Sequence, residues 1–173
     1  MLATQTGEAG VAEVFRTLRF RLRDSTWTIV FKALIVIHLM IREGVLDAAL
    51  LYISENPDVM AISGYSEGER LGERMEERKI KADFFRVAVQ MQGQNIRKYC
   101  DYLVSRAAAF ADTKTDYVRS GPGRMRRLTV EKGLLRETEI VQRQIKALLR
   151  CNVRRMAKFI HHSYRIIANE WAL

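Results

Sequence analysis

The hydrophobic pattern of this chain is helical over most of its length and is densest over residues 26–44, TWTIVFKALIVIHLMIREG. Between positions 27 and 41 only Thr28, Lys32 and His38 are not apolar. A helix that is apolar nearly all round must be covered on most of its circumference. The run is shorter than the ~20 apolar residues that span a bilayer, and Lys32 and His38 would lie in hydrocarbon. It predicts a central helix with other helices packed on several sides. Asp24, Ser25 and Thr26 offer capping side chains at its start. Gly44 is placed to end it in the left-handed C′ conformation.

Four further stretches carry a pattern. Over 8–23, Val11, Val14, Phe15, Leu18 and Leu22 repeat at helical spacing, with Arg16, Arg19, Arg21 and Arg23 largely off that stripe as its wet side. Residues 45–56 place Leu46, Ala49, Leu50 and Ile53 on one face and stop at Asn56 and Pro57. Over 92–119, Ile96, Tyr99, Cys100, Leu103 and Ala107 make a stripe continued by Phe110 and Ala111, with Arg97, Lys98 and Arg106 off it. After the break at Gly121, Pro122 and Gly123, a helix over 129–150 has Thr129 as N-cap and Gly133 in its first turn. Its expected core residues are Leu134, Leu135, Ile140, Val141, Ile145 and Leu148. Between 64 and 91 dense alternating charge predicts a solvated helix or loop. The tail from Cys151 has no clean period, though Met156, Phe159, Ile160, Ile166, Ile167 and Trp171 could line a short amphipathic helix.

Charge changes this picture. The net charge of +9 lies in the second half of the chain. Residues 92–153 carry about +7 and 154–173 about +3, against about −1 for 1–63. Such a bias suggests an anionic partner, phospholipid headgroups or nucleic acid, and fits a solvated basic face equally well. Few aromatic residues are interleaved with these cations, which argues against a stacking platform for single strands.

No catalytic residues, metal ligands or cofactor are expected. His38 reads as a core histidine, and the adjacent His161 and His162 point in different directions on a helix. The loop at 121–123 has neither a preceding strand nor the lysine of a nucleotide loop. Cys100 and Cys151 are isolated, which points to a reducing compartment without a structural disulfide. The first ten residues lack a signal-peptide profile, so a cytoplasmic location is expected. Lys32, interrupting an apolar helix, is either a snorkelling side chain or a cation aimed at an anion beside the bundle. Arg124, Arg126 and Arg127 invite a similar membrane-surface or nucleic-acid reading.

Three stretches resemble one family. The run STWTIVFKALIVIHLMIREG at 25–44 is similar to a helix of the ANTH domain of clathrin-assembly adaptors, and more loosely to the ENTH domain. QGQNIRKYCDYLVSRAAAF at 92–110 and LTVEKGLLRETEIVQRQIKALLRCNV at 128–153 resemble its later helices in fungal members, in the same order. The resemblance implies an all-α, right-handed superhelical solenoid. It further implies binding of phosphatidylinositol 4,5-bisphosphate at the plasma membrane, and clathrin recruitment in coated pits and vesicles. The partners expected from it are a phosphoinositide membrane surface, clathrin through the full-length parent, and SNARE or other cargo, with no nucleic acid. Lys32 matches a headgroup lysine of the epsin-type domain; Arg97, Lys98, Arg124, Arg126 and Arg127 are expected to supply a general basic surface. The family's lysine-rich headgroup motif has no counterpart, since no lysine precedes Lys32.

The expected organisation is a partial ANTH-type domain over 1–153, interrupted by a charged insertion at about 68–91, and a divergent tail at 154–173. Both interruptions read as intron-like sequence, and the start as truncated. The alternative function is a helical protein-interaction fragment that has lost lipid binding.

Overall fold

The computed structural model describes residues 8–44, 47–62 and 79–151, with backbone alone for 79–92. The described residues form helices α1 (Glu8–Leu22), α2 (Trp27–Glu43), α3 (Ala48–Glu55), α4 (Lys79–Thr113), α5 (Tyr117–Ser120) and α6 (Leu134–Leu149), with short 3-10 turns at Pro57–Met60, Gly121–Gly123 and Met125–Arg127. No strand occurs among them.

The apolar run does become the packing axis. α2 meets α1, α3 and α4, and buries Val30, Phe31, Ala33, Leu34, Ile35, Ile37, Met40 and Ile41. The short link after Leu22 forces α1 back along α2, where Val11, Phe15, Leu18 and Leu22 enter the core. Phe15 stacks on Tyr52 of α3 with ring centroids 4.9 Å apart. α4 closes this unit from the far side with Ile96, Tyr99, Cys100, Leu103 and Ala107. The Cys100 thiol donates to the Met60 carbonyl at 3.3 Å. α6 packs chiefly on α4 and runs antiparallel to it. Its far end is fixed where Cys151 donates to the Lys98 carbonyl at 3.3 Å.

Several expectations are corrected. Gly44 does not end α2 in the left-handed region: its φ is −68° and ψ 155°. The glycine is needed because a Cβ there would stand 2.2 Å from the Met40 carbonyl oxygen. Thr26 precedes α2 without a side-chain capping bond; Asp24 Oδ1 instead accepts from the Thr26 amide at 2.8 Å. α3 starts at Ala48, after Asp47 in a left-handed conformation (φ 53°). The expected core residue Leu46 lies outside the described residues, as do 64–78 and the expected tail helix.

α4 begins at Lys79 and ends at Thr113, not at 92 and 119. Its end is chemical. The Thr113 hydroxyl donates to the carbonyls of Ala109 and Thr115, and Lys114 turns left-handed at φ 52°. The α6 helix starts after Gly133, at φ 92°, rather than at Thr129. The Thr129 carbonyl is used in a turn, accepting from the amides of Lys132 and Leu134. Of the expected α6 core only Ile140 is buried, while Leu135 is 66% exposed. α4 covers one arc of α6, and the other expected core residues lie outside that arc.

Candidate functional site

The cations singled out above are placed on three parts of the frame. Lys32 stands exposed on α2, on the side away from the core. Arg97 and Lys98 are consecutive exposed residues of α4. Arg124, Arg126 and Arg127 are exposed in the connection to α6 and are brought together by one turn, in which the Arg127 amide donates to the Arg124 carbonyl at 3.0 Å.

Arg124 differs from its neighbours. Its Nη2 donates to Glu137 Oε1 at 2.7 Å and its Nε to Glu137 Oε2 at 3.2 Å. The Tyr117 hydroxyl donates to the same carboxylate. Glu137 lies in the first turn of α6, where a carboxylate is favoured by the helix dipole. The Arg124 hydrogen bonds hold its carboxyl below the usual range, and burial together with Glu137 pushes the Tyr117 phenol up. This carboxylate pins the basic turn to α6.

Next to it lies a buried ion pair that sequence reasoning put on the wet side. Arg106 is 2% exposed and faces Asp116 in the interior. Asp116 also caps α5, its Oδ1 accepting from the Val118 amide at 3.2 Å. Helical spacing held the signal: Arg106 lies three residues after Leu103 and seven after Tyr99, on the apolar face. Its charge alone sent it to the surface. Glu137, three residues before Ile140, shares the buried face of α6 for the same reason.

His38 is the core histidine expected. Its Nδ1 lies 2.6 Å from the Tyr99 hydroxyl, with which it shares a hydrogen bond. Burial, then the nearby Arg106 and Arg42, depress its pKa to about 4. Such a ring is neutral near pH 7 and is a poor base. Burial pushes the Cys100 thiol up to about 12, which leaves it a weak nucleophile. Among the described residues no cluster of His, Cys, Asp or Glu could hold a metal ion, and no helix is long and apolar enough to cross a membrane. The arrangement offers exposed cations on a rigid helical frame.

The comparisons with known proteins agree with this frame. The family model of the ANTH domain matches residues 1–161, a span that takes in the charged stretch before α4 and the first residues after α6. An ENTH domain-containing protein of Schizosaccharomyces pombe is 30% identical over 152 residues, 86% of this chain and 20% of the relative. The clathrin coat assembly protein AP180A of Saccharomyces cerevisiae is 33% identical over 123 residues, 70% of this chain and 16% of the relative. Its counterpart AP180B is 30% identical over 155 residues, 87% and 24% respectively. The chain thus spans about a fifth of the length of the curated relatives it matches. No solved structure matches it significantly. An all-α frame built round the run at 25–44, matched by the family model over most of the chain, makes this protein a member of the ANTH domain family.

Proposed function

We propose that this chain is a non-enzymatic ANTH module that docks on the cytoplasmic face of the plasma membrane, binds phosphatidylinositol 4,5-bisphosphate by charge, and serves clathrin coat assembly in endocytosis. Two of its relatives are named as clathrin coat assembly proteins, which supports the adaptor role. The observation that carries the lipid reading is a set of exposed cations, Lys32, Arg97, Lys98, Arg126 and Arg127, on a frame without a membrane span among the described residues. Each such cation that comes near an anionic membrane would add about 1 kcal/mol to reversible docking. Arg124, held by Glu137, orients the turn that carries Arg126 and Arg127 and supplies less free charge of its own. The adaptor role also implies clathrin, and SNARE or other cargo, as partners.

Co-sedimentation with vesicles tests the lipid reading. Pelleting on vesicles that contain the bisphosphate lipid, with little on matched phosphatidylserine vesicles, is expected. Equal pelleting on both would remove specific headgroup recognition. Pelleting on neither would favour the second reading, a protein-interaction module without lipid binding. The apolar side chains left uncovered on α6 are the observation that favours it.

A further inference from the structure

We propose that Thr129 is a phosphorylation site for an arginine-directed protein kinase, and that its phosphate switches off the basic turn before α6. The sequence around it runs Arg124, Met125, Arg126, Arg127, Leu128, Thr129, Val130, with arginine two, three and five residues before the hydroxyl and an apolar residue after it. No other serine or threonine of the chain has arginine at both the second and the third preceding position. A kinase that selects by charge pairs such arginines with carboxylates of its substrate groove, and a substrate without them leaves those acids unpaired. The segment is presented in a usable form. Arg126, Arg127 and Thr129 are exposed, and Leu128 is already extended at φ −79° and ψ 139°. The Thr113 and Thr138 hydroxyls are spent on carbonyls of their own helices, each at 2.8 Å. Among the described residues that of Thr129 has no such partner.

A kinase cleft takes its substrate in extended form, so the 3-10 turn at Met125–Arg127 must open. Two backbone bonds hold it, from the Arg127 amide to the Arg124 carbonyl at 3.0 Å and from the Leu128 amide to the Met125 carbonyl at 3.2 Å. A single exposed turn of this kind opens at little cost. Arg124 stays on Glu137, so Arg126 and Arg127 carry the recognition. In the cleft Thr129 Oγ1 attacks the γ-phosphorus of ATP. The new Oγ1–P bond replaces the bond from that phosphorus to the β–γ bridging oxygen, ADP leaves, and the hydroxyl proton passes to the kinase's catalytic carboxylate. The product adds a charge of about −2 at neutral pH. It stands two and three residues from Arg127 and Arg126, the arginines of the turn that Glu137 does not hold, and offsets both. The switch rests on the lipid reading above, in which these cations face the membrane; the site itself does not.

The test uses the full chain, ATP and the catalytic subunit of the cyclic-AMP-dependent protein kinase as an arginine-directed probe, with the phosphate located by fragment mass spectrometry. Modification on Thr129 is expected. Arg126→Ser with Arg127→Ser should lower the kcat/KM of transfer at least about a hundredfold, because two charge-assisted contacts with the kinase are lost. Thr129→Ala should take up no phosphate there and keep the parent's thermal melt. Phosphate on Thr26 instead, which has arginine three and five residues before it, overturns the proposal, as does transfer indifferent to the double substitution. No transfer to the folded chain, whether or not a synthetic peptide of residues 122–133 is modified, overturns it too. On bisphosphate-containing vesicles the phosphorylated chain should bind roughly 25-fold more weakly than the unmodified one, the effect of two basic charges lost. Equal binding of the two forms overturns the switch and leaves the lipid reading in place. Pelleting of neither form removes the lipid reading and the switch with it, while phosphate transfer alone still decides the site.

Discussion

Arg106 and Asp116 meet through two hydrogen bonds, Nε to Oδ1 at 3.1 Å and Nη2 to Oδ2 at 2.5 Å, with both side chains almost wholly withdrawn from water. The pair ties α4 to the segment that leads into α6, because Asp116 caps α5 as well. Removing one partner leaves the other charge buried and uncompensated. Asp116→Ala should therefore cost about 3–5 kcal/mol of stability, read from the urea midpoint. Replacing both residues with apolar side chains of similar size should recover much of that loss, because no lone buried charge remains. A double variant as weak as the single one would show that the cap, not the ion pair, dominates.

His38 gives the fold a pH dependence of definite sign. Its folded-state pKa, about 4, lies below the ordinary 6.5, so the unfolded chain takes up its proton first. The stability that neutral His38 supports is present above pH 6.5 and falls as the pH drops towards 4, by as much as about 3 kcal/mol. His38→Gln should flatten this part of the stability–pH curve. An unchanged slope in the variant would place the acid sensitivity in other groups.

Glu137 collects the Tyr117 hydroxyl and the Arg124 guanidinium at the start of α6. Glu137→Gln should release the turn at 121–133, seen as faster amide hydrogen exchange there and a thermal midpoint lower by a few degrees. Exchange in α1 and α2, which do not share the contact, should stay as it was. Unaltered exchange at 121–133 would mean that the turn holds itself.

Charge-removing substitutions test the lipid reading. Lys32→Met, and separately Arg126→Ser with Arg127→Ser, should each weaken binding to bisphosphate-containing vesicles, by about 1 kcal/mol per charge or roughly fivefold. Co-sedimentation across a lipid series measures this. Indifference to Lys32→Met would remove that lysine from the headgroup surface.

Gly44→Ala tests a steric requirement. The added methyl would press on the Met40 carbonyl oxygen, and backbone cannot move aside as a side chain can. A loss of about 1–3 kcal/mol is expected on denaturant titration. A neutral outcome would show that the α2–α3 turn relaxes freely.

The local periodicities were decisive for part of this protein. Apolar residues at helical spacing placed α1, α2 and the middle of α4, and the nearly all-apolar run named the central helix, because burial on every side demands such a run. The family was legible in the same stretch. The ends of helices were not. Gly44 serves a close approach, Thr113 stops α4 by its hydroxyl, and Gly133 opens α6, each through backbone geometry that composition does not carry. Tertiary structure also decided the fate of charge and apolar surface. Arg106 lies inside because Asp116, ten residues on, folds back to meet it, and Arg124 is pinned because Glu137 arrives from α6. Leu135 and Leu149 lie outside because α4 covers only one arc of α6. A sequence records which side chains prefer burial; which of them find a partner depends on contacts between residues far apart in the chain.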